Sequence, residues 1–160
     1  MSRERQYLLS RAALASFRLN GQFLAVAEEL ARPAGLTAAW WQVLGAVLPD
    51  PLPVAGIARV MGITRQSVQR IADLLVEKGL AEYRPNPAHR RAKLLAATGE
   101  GVAAIRRINP GHAAYADRLA DAFGDDGDLA EAVRLLERLS AALEESGPPE
   151  AGGAGAETGQ

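Results

Sequence analysis

The segment from residue 54 to residue 98 constrains the fold more than any other part of the chain. It contains, in order, a short apolar helix, a glycine turn, a second helix with a polar face and a basic hairpin. DNA reading needs this combination, because a short helix braces a second one and the major groove is wide enough to admit that second helix. A charged hairpin beside it can hold phosphate or enter the minor groove.

The spacing of apolar residues predicts a supporting helix over 54–61 and a second helix over 65–78. Gly62 supplies the turn between them, because glycine adopts positive φ at little cost. Thr64 is the expected N-cap of the second helix, and Gly79 is the expected residue just beyond its end. Together these residues indicate a helix-turn-helix.

The basic hairpin follows this unit directly. Residues 80–84 and 91–96 are predicted as its two strands, and residues 85–90 are predicted as the loop that joins them. Four further helices are predicted at residues 3–31, 37–48, 98–123 and 129–143. The pattern as a whole indicates a mainly α fold with a small β-hairpin.

Breaks between the helices are predicted from proline, glycine and aspartate. Pro110 and Gly111 predict a kink or a break in the helix at 98–123, and Asp128 is the expected cap of the last helix. Residues 49–53 contain three prolines and are predicted as an extended link with at most a residue or two of edge strand. Small and polar residues dominate 146–160, which we expect to be a disordered tail.

Charge is distributed unevenly along the chain. The whole sequence carries a net charge of −1, which alone argues against DNA binding. Residues 54–93, however, carry eight basic and three acidic side chains, whereas residues 94–160 carry five basic and twelve acidic ones. Such asymmetry is typical of a nucleic-acid face beside a solvating acidic region, although charge alone leaves chance clustering equally open. The helix-turn-helix pattern favours the nucleic-acid face.

Composition excludes several classes of site. The chain has no cysteine, which excludes disulfides, thiol redox sensing and thiolate metal sites. It has only two histidines, His89 and His112, so we expect no metal site within one subunit and no cofactor. No nucleophile elbow, phosphate-binding glycine loop or HExxH motif is present, so we expect no enzyme activity. Residues 125–128 lack the spacing of a calcium loop and are interpreted as a polar turn.

The sequence also carries little sign of a membrane or export signal. No apolar run reaches 18 residues, the length that a transmembrane helix needs. The charged N-terminal residues lack the long apolar region and cleavage site of a signal peptide. We therefore expect a cytoplasmic protein.

The second helix of the helix-turn-helix has a polar face that suits base edges. Arginine can bind guanine, and glutamine can bind adenine, through paired hydrogen bonds. Short hydroxyl side chains at the helix start can hold phosphate, helped by the free N–H groups there. The candidate DNA contacts of this helix are Thr64, Arg65, Gln66, Ser67, Gln69 and Arg70. The alternative is that these residues are only the solvated face of an amphipathic helix.

The hairpin adds a second set of candidate DNA contacts. An arginine in the minor groove reads the width and negative potential of that groove rather than a unique base code. The candidate contacts of the hairpin are Arg84, Arg90, Arg91 and Lys93. A basic turn exposed to solvent is the competing interpretation.

At this point the residues resemble a known family. The run from residue 54 to residue 101 is similar to the winged helix-turn-helix core of the MarR family of bacterial repressors. The order of a helix, another helix, the winged unit and two long helices extends the resemblance to about residue 145. The matching positions are Ile57-Ala58, Gly62-Ile63-Thr64, Val68-Gln69-Arg70, Lys78-Gly79-Leu80, Arg90-Arg91-Ala92-Lys93, Thr98 and Gly101.

The resemblance implies an obligate homodimer with interlocking terminal helices. It implies an N-terminal dimerisation helix at 1–36, a DNA-binding domain at 37–98 and C-terminal dimerisation helices at 99–145. The two recognition helices would enter successive major grooves of a palindromic operator, with half-sites roughly 34–36 Å apart.

The resemblance also assigns roles to single residues. Gln69 and Arg70 fall on base-contacting positions of the family, and Arg91 falls on its wing arginine. The family usually has Asp where this chain has Asn86 and His89, and those acids pair with the wing arginines. This departure concerns the support of the wing rather than the recognition helix.

Members of the family commonly respond to small aromatic or phenolic acids that lower their DNA affinity. By this resemblance we expect a pocket between the dimer helices and the winged unit. The candidate ligand-binding residues are Phe17, Trp40, Trp41, His112 and Tyr115. Each of these aromatics has the competing interpretation of a core residue, and His112 that of a helix-start or surface histidine.

The sequence is therefore interpreted as a transcriptional repressor that a small aromatic ligand releases from double-stranded DNA. The alternative is a winged-helix protein-interaction module without specific DNA binding. The two differ in their response to salt, because each phosphate that a DNA-binding protein neutralises releases counterions.

Overall fold

The computed structural model describes residues 2–149, and six α-helices and three short strands lie in that part of the chain. The strands are β1 (Leu52–Pro53), β2 (Ala81–Arg84) and β3 (Leu94–Ala97). The helices are α1 (Ser2–Ala31), α2 (Ala38–Val47), α3 (Val54–Met61), α4 (Arg65–Glu77), α5 (Gly99–Phe123) and α6 (Asp126–Ser146). The predicted mainly α fold with a small β-hairpin wing is confirmed.

The chain divides between Ala114 and Tyr115 into two compact units. The first unit holds α1 to α4 and the sheet, and the second unit holds α6. No helix of the described residues is long and apolar enough to span a membrane.

The sheet is antiparallel, with strand order β1-β3-β2. Leu95 in the central strand pairs with Leu52 on one side and with Tyr83 on the other, and its side chain is fully buried. The proline-rich link therefore supplies the short edge strand that its sequence allowed, because proline is tolerated only at a sheet edge. This strand ties the chain before α3 to the base of the wing.

The helix-turn-helix is built around an apolar core. Ile57 of α3 and Val68 and Leu75 of α4 are fully buried, together with Leu44 of α2. Gly62 has φ 66° between α3 and α4, so the predicted glycine turn is confirmed. Burial of this apolar side forces the opposite side of α4 towards solvent.

The end of α4, the start of the wing and the start of α5 meet at one junction. Gly79 has φ 74°, and its carbonyl oxygen accepts a 2.6 Å hydrogen bond from the Thr98 hydroxyl. The Thr98 backbone N–H donates to the Leu80 carbonyl at 3.1 Å. A Cβ atom at Gly101 would lie 2.0 Å from that same Leu80 oxygen. Glycine at position 101 therefore permits direct contact between α5 and the wing backbone.

Two predicted boundaries in the first unit are wrong. The second wing strand begins at Leu94 and not at residue 91, because Arg91 and Ala92 belong to the turn. The sequence predicted a kink or a break at Pro110. The chain stays helical through Pro110, so the prediction of a break is wrong. Proline removes one backbone donor from the helix, and the hydrogen bonds around it carry the helix past that position.

The boundaries of α6 also differ from the prediction. The predicted cap, Asp128, is the third helical residue, and the cap is Asp125. The Asp125 carboxylate accepts from the Asp128 N–H at 2.9 Å, and the Asp128 carboxylate accepts from the Asp125 N–H at 3.3 Å. This reciprocal capping box starts the helix about one turn early. Ser146 is the last residue of α6, and residues 150–160 of the predicted tail lie outside the described residues.

Candidate nucleic-acid interface

The start of α4 is closed by its own hydroxyl side chains. The Thr64 hydroxyl oxygen accepts a 3.1 Å hydrogen bond from the Ser67 N–H, which confirms Thr64 as the N-cap. The Thr64 hydroxyl also donates to the Ser67 hydroxyl oxygen at 2.9 Å. The two predicted phosphate-holding residues therefore bind each other and leave the Ser67 hydroxyl hydrogen to donate outward.

A groove separates α4 from the wing and brings the predicted contacts of both elements together. Its volume is about 590 Å³. Its floor includes Pro53, Val54 and Ala55 at the start of α3. The polar side chains that line it are Arg65, Gln66, Gln69, Tyr83, Arg91 and Lys93. Three cations thus face one concave surface, which is the arrangement expected for binding a phosphate backbone.

The two adjacent wing arginines lie on different sides of the wing. Arg91 lines the groove beside α4, whereas Arg90 lines a second cavity of about 570 Å³ with Arg84 and Asn86. Lys93 lines both cavities. Arg91 therefore shares a surface with α4, while Arg90 lines the other cavity of the wing.

Arg84, a predicted DNA contact, forms an ion pair with a neighbouring acidic side chain. Its guanidinium lies 2.7 Å from the Glu82 carboxylate, and both side chains are about half exposed. An exposed ion pair of this kind contributes little to stability, but it offsets the positive charge that Arg84 presents. Glu82 and Arg84 are two residues apart on a strand, so they share a face.

The wing turn is closed by the side chains of Asn86 and His89. The Asn86 side-chain oxygen accepts from the Ala88 N–H at 3.0 Å. The His89 Nδ1 atom accepts from the Ala92 N–H at 3.2 Å. These side chains bind the turn backbone, so the turn is held locally and the positive charges of Arg90 and Arg91 stay available.

Gln69 is held by two residues that sequence reasoning did not select. Its Nε2 atom donates to the Asp73 Oδ1 atom and to the Tyr83 hydroxyl oxygen, each at 2.9 Å. The Tyr83 hydroxyl donates to the same Asp73 oxygen at 2.5 Å. Asp73 lies four residues after Gln69, so helical spacing places both side chains on the same face of α4. Alternation along the strand could have placed Tyr83 on the face of β2 that turns towards α4.

The environment of Tyr83 raises the pKa of its hydroxyl from 10.0 to about 12. Partial burial is the largest cause, followed by the hydrogen bond to Asp73 and the negative charge of Asp73, while the hydrogen bond from Gln69 acts in the opposite direction. The Lys93 ammonium lies 6.0 Å from the centre of the Tyr83 ring. Tyr83 is therefore a hydrogen-bond donor at neutral pH and connects α4 with the wing.

Arg70 and Gln66 occupy the exposed face of α4 as predicted. Gln66 lines the groove with Gln69, whereas Arg70 lies on the same exposed face and is not among the groove-lining residues of the described chain. The DNA contacts of all these side chains stay predictions.

The predicted ligand-binding aromatics are dispersed. Trp41 and His112 stack edge to face, with ring centroids 5.4 Å apart. Trp40 is half-buried at the start of α2, and Phe17 is exposed on α1. Tyr115 lies beneath the Arg118 guanidinium, 5.3 Å from the ring centre. The structure thus brings together one pair of the five residues within the first unit.

Metal chemistry finds no support among the residues that the structure describes. Residues 2–149 hold no group of three or more His, Cys, Asp or Glu side chains that could bind an ion.

The sequence is similar to a family model and to proteins from two bacteria. A family model described as MarR family matches residues 34–92. A Mycobacterium tuberculosis protein of uncharacterized function is 38% identical over 140 residues, which cover 88% of this chain and 97% of the relative. A Thauera aromatica protein assigned as a transcriptional regulatory protein for the hcr operon is 31% identical over 144 residues, which cover 87% of this chain and 80% of the relative.

Solved structures agree with the sequence comparison. A MarR family transcriptional regulator of Streptomyces coelicolor superposes with a TM-score of 0.68 at 26% identity, covering 85% of this chain and 96% of the other. CouR of Rhodococcus jostii bound to p-coumaroyl-CoA gives 0.64 at 25% identity, with coverages of 80% and 90%. The M. tuberculosis regulator MosR in complex with DNA shares the fold, with a TM-score of 0.67 at 21% identity and coverages of 82% and 96%.

Proposed function

The chain belongs to the MarR family of transcription regulators, and we propose that it is a repressor that binds a palindromic operator as a homodimer and is released by a small aromatic ligand. The observation that carries this proposal is the groove between α4 and the wing. There Arg65, Gln66 and Gln69 of the recognition helix face Arg91 and Lys93 of the wing. A recognition helix in the major groove and a wing arginine in the adjacent minor groove would use these side chains together.

The homodimer is supported by apolar surface that one protomer leaves uncovered. α6 has no buried residue between Asp126 and Ser146, and α1 has one, Ala31. The large apolar side chains that are exposed on these two helices are Tyr7, Leu8, Leu9, Leu14, Phe17, Phe23 and Leu24 in α1 and Val133, Leu135, Leu136, Leu139 and Leu143 in α6. Apolar surface of this extent is typical of an interface between subunits.

Operator recognition is tested by fluorescence anisotropy on a duplex from the chain's own upstream region and on a random duplex, at several salt concentrations. We expect tight binding that favours the upstream duplex and weakens steeply with salt, because each neutralised phosphate releases counterion. Salt-sensitive binding without preference would place the operator elsewhere. Absence of salt-dependent binding to any duplex would contradict the proposal and favour the alternative, a protein-interaction module.

Two arginine variants separate base reading from backbone binding. Arg70→Ala should weaken binding to the preferred duplex more than binding to the random duplex, because base contacts carry specificity. Arg91→Ala should weaken both more evenly and reduce the salt slope, because a wing arginine reads groove potential. Equal losses on both duplexes from Arg70→Ala would show that Arg70 does not read bases.

Release by an aromatic ligand is supported by the paired rings of Trp41 and His112 and by the structural similarity to CouR, whose structure holds p-coumaroyl-CoA. A ligand can shift the dimer away from its DNA-binding geometry only if it binds the two states with different affinity. Titration with phenolic and aromatic acids should change tryptophan fluorescence and lower DNA affinity in parallel. Flat fluorescence and unchanged affinity across the panel would contradict this part of the proposal.

A further inference from the structure

The amide of Gln69 is restrained on a helix face where an exposed glutamine would normally rotate freely. Its nitrogen is held between the Asp73 carboxylate, one turn along α4, and the Tyr83 hydroxyl of β2. We call these three side chains the Gln69 clasp. Because Tyr83 lies 14 positions away from Gln69, the clasp forms only when the wing is folded against α4.

Within residues 2–149, no hydrogen bond reaches the acceptor oxygen of the Gln69 amide. The Asp73 oxygen and the Tyr83 oxygen lie only 2.5 Å apart, so they subtend a narrow angle at the Gln69 nitrogen. The two hydrogens of a planar amide diverge widely, so one N–H is shared between both oxygens. The negative charge of Asp73 repels the carbonyl end of the amide, which fixes the nitrogen inward and the oxygen outward.

The direction of a glutamine amide decides which base it can read. An outward oxygen accepts from the exocyclic amine of adenine or cytosine, whereas an outward NH2 group donates to the keto oxygen of thymine or guanine. A freely rotating glutamine offers both edges and discriminates poorly. A glutamine of fixed direction places an acceptor at one position and rejects a base that presents another acceptor there.

We propose that Asp73 and Tyr83 are specificity-determining positioning residues, which fix the Gln69 amide so that this position of the operator is read as a base with an amino group. This inference rests on the proposed operator recognition. The high pKa of Tyr83, about 12, agrees with a hydroxyl that donates to Asp73 at neutral pH. Gln69 and Tyr83 of the clasp also line the groove beside Arg91, so base reading and wing position are connected through Tyr83.

The proposal is tested by selecting duplexes from a randomised pool and then measuring affinity for each base at every selected position. Gln69→Ala first identifies the position that Gln69 reads, because discrimination is lost there alone. At that position we expect the unchanged protein to prefer adenine and cytosine over guanine and thymine by about tenfold. We expect the clasp to control this ratio, which is the affinity for the amino bases divided by the affinity for the keto bases.

Asp73→Asn is the decisive variant. An asparagine amide can donate to the Gln69 oxygen, so the Gln69 amide can adopt the reversed direction and the ratio should fall close to one. Glu77→Gln is the matched control, because it removes the same charge from an exposed position one turn further along α4. Glu77→Gln should keep the tenfold ratio of the unchanged protein, within experimental error.

Tyr83→Phe provides a second variant, which removes one hydroxyl and leaves the ring in place. It should lower the ratio without changing the helical content. If Asp73→Asn and Tyr83→Phe keep the ratio of the unchanged protein at a Gln69-dependent position, the clasp is overturned and operator recognition stands. The same holds if Gln69→Ala affects no position. Equal binding to all duplexes by the unchanged protein would overturn both proposals.

Discussion

Leu75 in α4 and Leu136 in α6 both lie on the apolar side of an amphipathic helix, yet Leu75 is fully buried and Leu136 is 45% exposed. The winged unit satisfies its apolar side chains within one protomer, through contacts among α2, α3, α4 and the sheet. The terminal helices α1 and α6 leave theirs open to solvent. The comparison teaches that the winged unit is stabilised by its own core, whereas the leucines of α6 stay exposed and are the ones that the proposed homodimer would cover.

The largest expected effect comes from placing a charge on the exposed apolar side of α6. Leu136→Asp should convert the proposed dimer into monomers, because an aspartate buried in an apolar interface loses its hydration. DNA affinity should fall by roughly a hundredfold or more, since a monomer loses the avidity of two linked half-sites. Sedimentation and fluorescence anisotropy measure the two effects. Glu137→Ala, an exposed neighbour, is the control. If the oligomeric mass of Leu136→Asp equals that of the unchanged protein, the proposal that a dimer covers the leucines of α6 is contradicted.

The next largest effect is a loss of stability from a truncation in the core of the winged unit. Leu75→Ala should lower the free energy of unfolding by about 2–5 kcal/mol, because the truncation leaves a cavity among fully buried side chains. Urea denaturation followed by circular dichroism measures the loss, and the oligomeric mass should not change. Leu48→Ala, at an exposed leucine after α2, should change stability by about 0.5 kcal/mol or less. Equal losses from both variants would mean that Leu75 is not a core residue.

A smaller effect is expected at the helix cap. Thr64→Ala should lower the free energy of unfolding by about 1 kcal/mol, because the Ser67 N–H loses its acceptor. Thr64→Ser keeps an oxygen in the same place and should retain most of that stability. If Thr64→Ser is as unstable as Thr64→Ala, the methyl group and not the cap is responsible.

The smallest expected effect is a change of stability at high pH that depends on the Tyr83 hydroxyl. Its folded-state pKa of about 12 exceeds the ordinary value of 10.0. The stabilisation from its neutral hydroxyl is therefore fully present below pH 10 and is lost as the pH rises towards 12. The difference in ultraviolet absorbance between the unchanged protein and Tyr83→Phe, followed against pH, isolates this ionisation.

Asp73→Asn sharpens the assignment of this ionisation. It should lower the Tyr83 pKa, because both the hydrogen bond to the carboxylate and its negative charge raise that pKa. A Tyr83 titration that Asp73→Asn does not move would leave burial as the only cause.

Local signals predicted much of the winged unit correctly. Gly62, Thr64 and Gly79 each specify a backbone feature through their own chemistry, and all three hold the predicted positions. The polar face of α4 also followed from helical spacing, because the apolar residues Val68, Ile71 and Leu75 fix which side faces solvent. These features depend on residues close together in the sequence, which is why they could be predicted.

Features that depend on distant partners were harder to predict. The start of β3 at Leu94 is set by pairing with Arg84 across the wing, and not by any alternation in its own residues. The clasp joins Gln69 to Tyr83, and it exists only after the wing folds onto α4. The capping box of α6 was missed for a local reason, since several aspartates precede that helix and the wrong one was selected.

The contact between Gly101 and the Leu80 carbonyl has a consequence at the level of the gene. A Cβ at position 101 would lie 2.0 Å from that oxygen, so any other residue forces α5 away from the wing. All glycine codons share their first two bases, so every single-base change at those two sites of this codon introduces a side chain or a stop. We therefore expect inherited variation there to be limited to the silent third base, whereas the codon for the exposed Ala103 should tolerate changes of the amino acid.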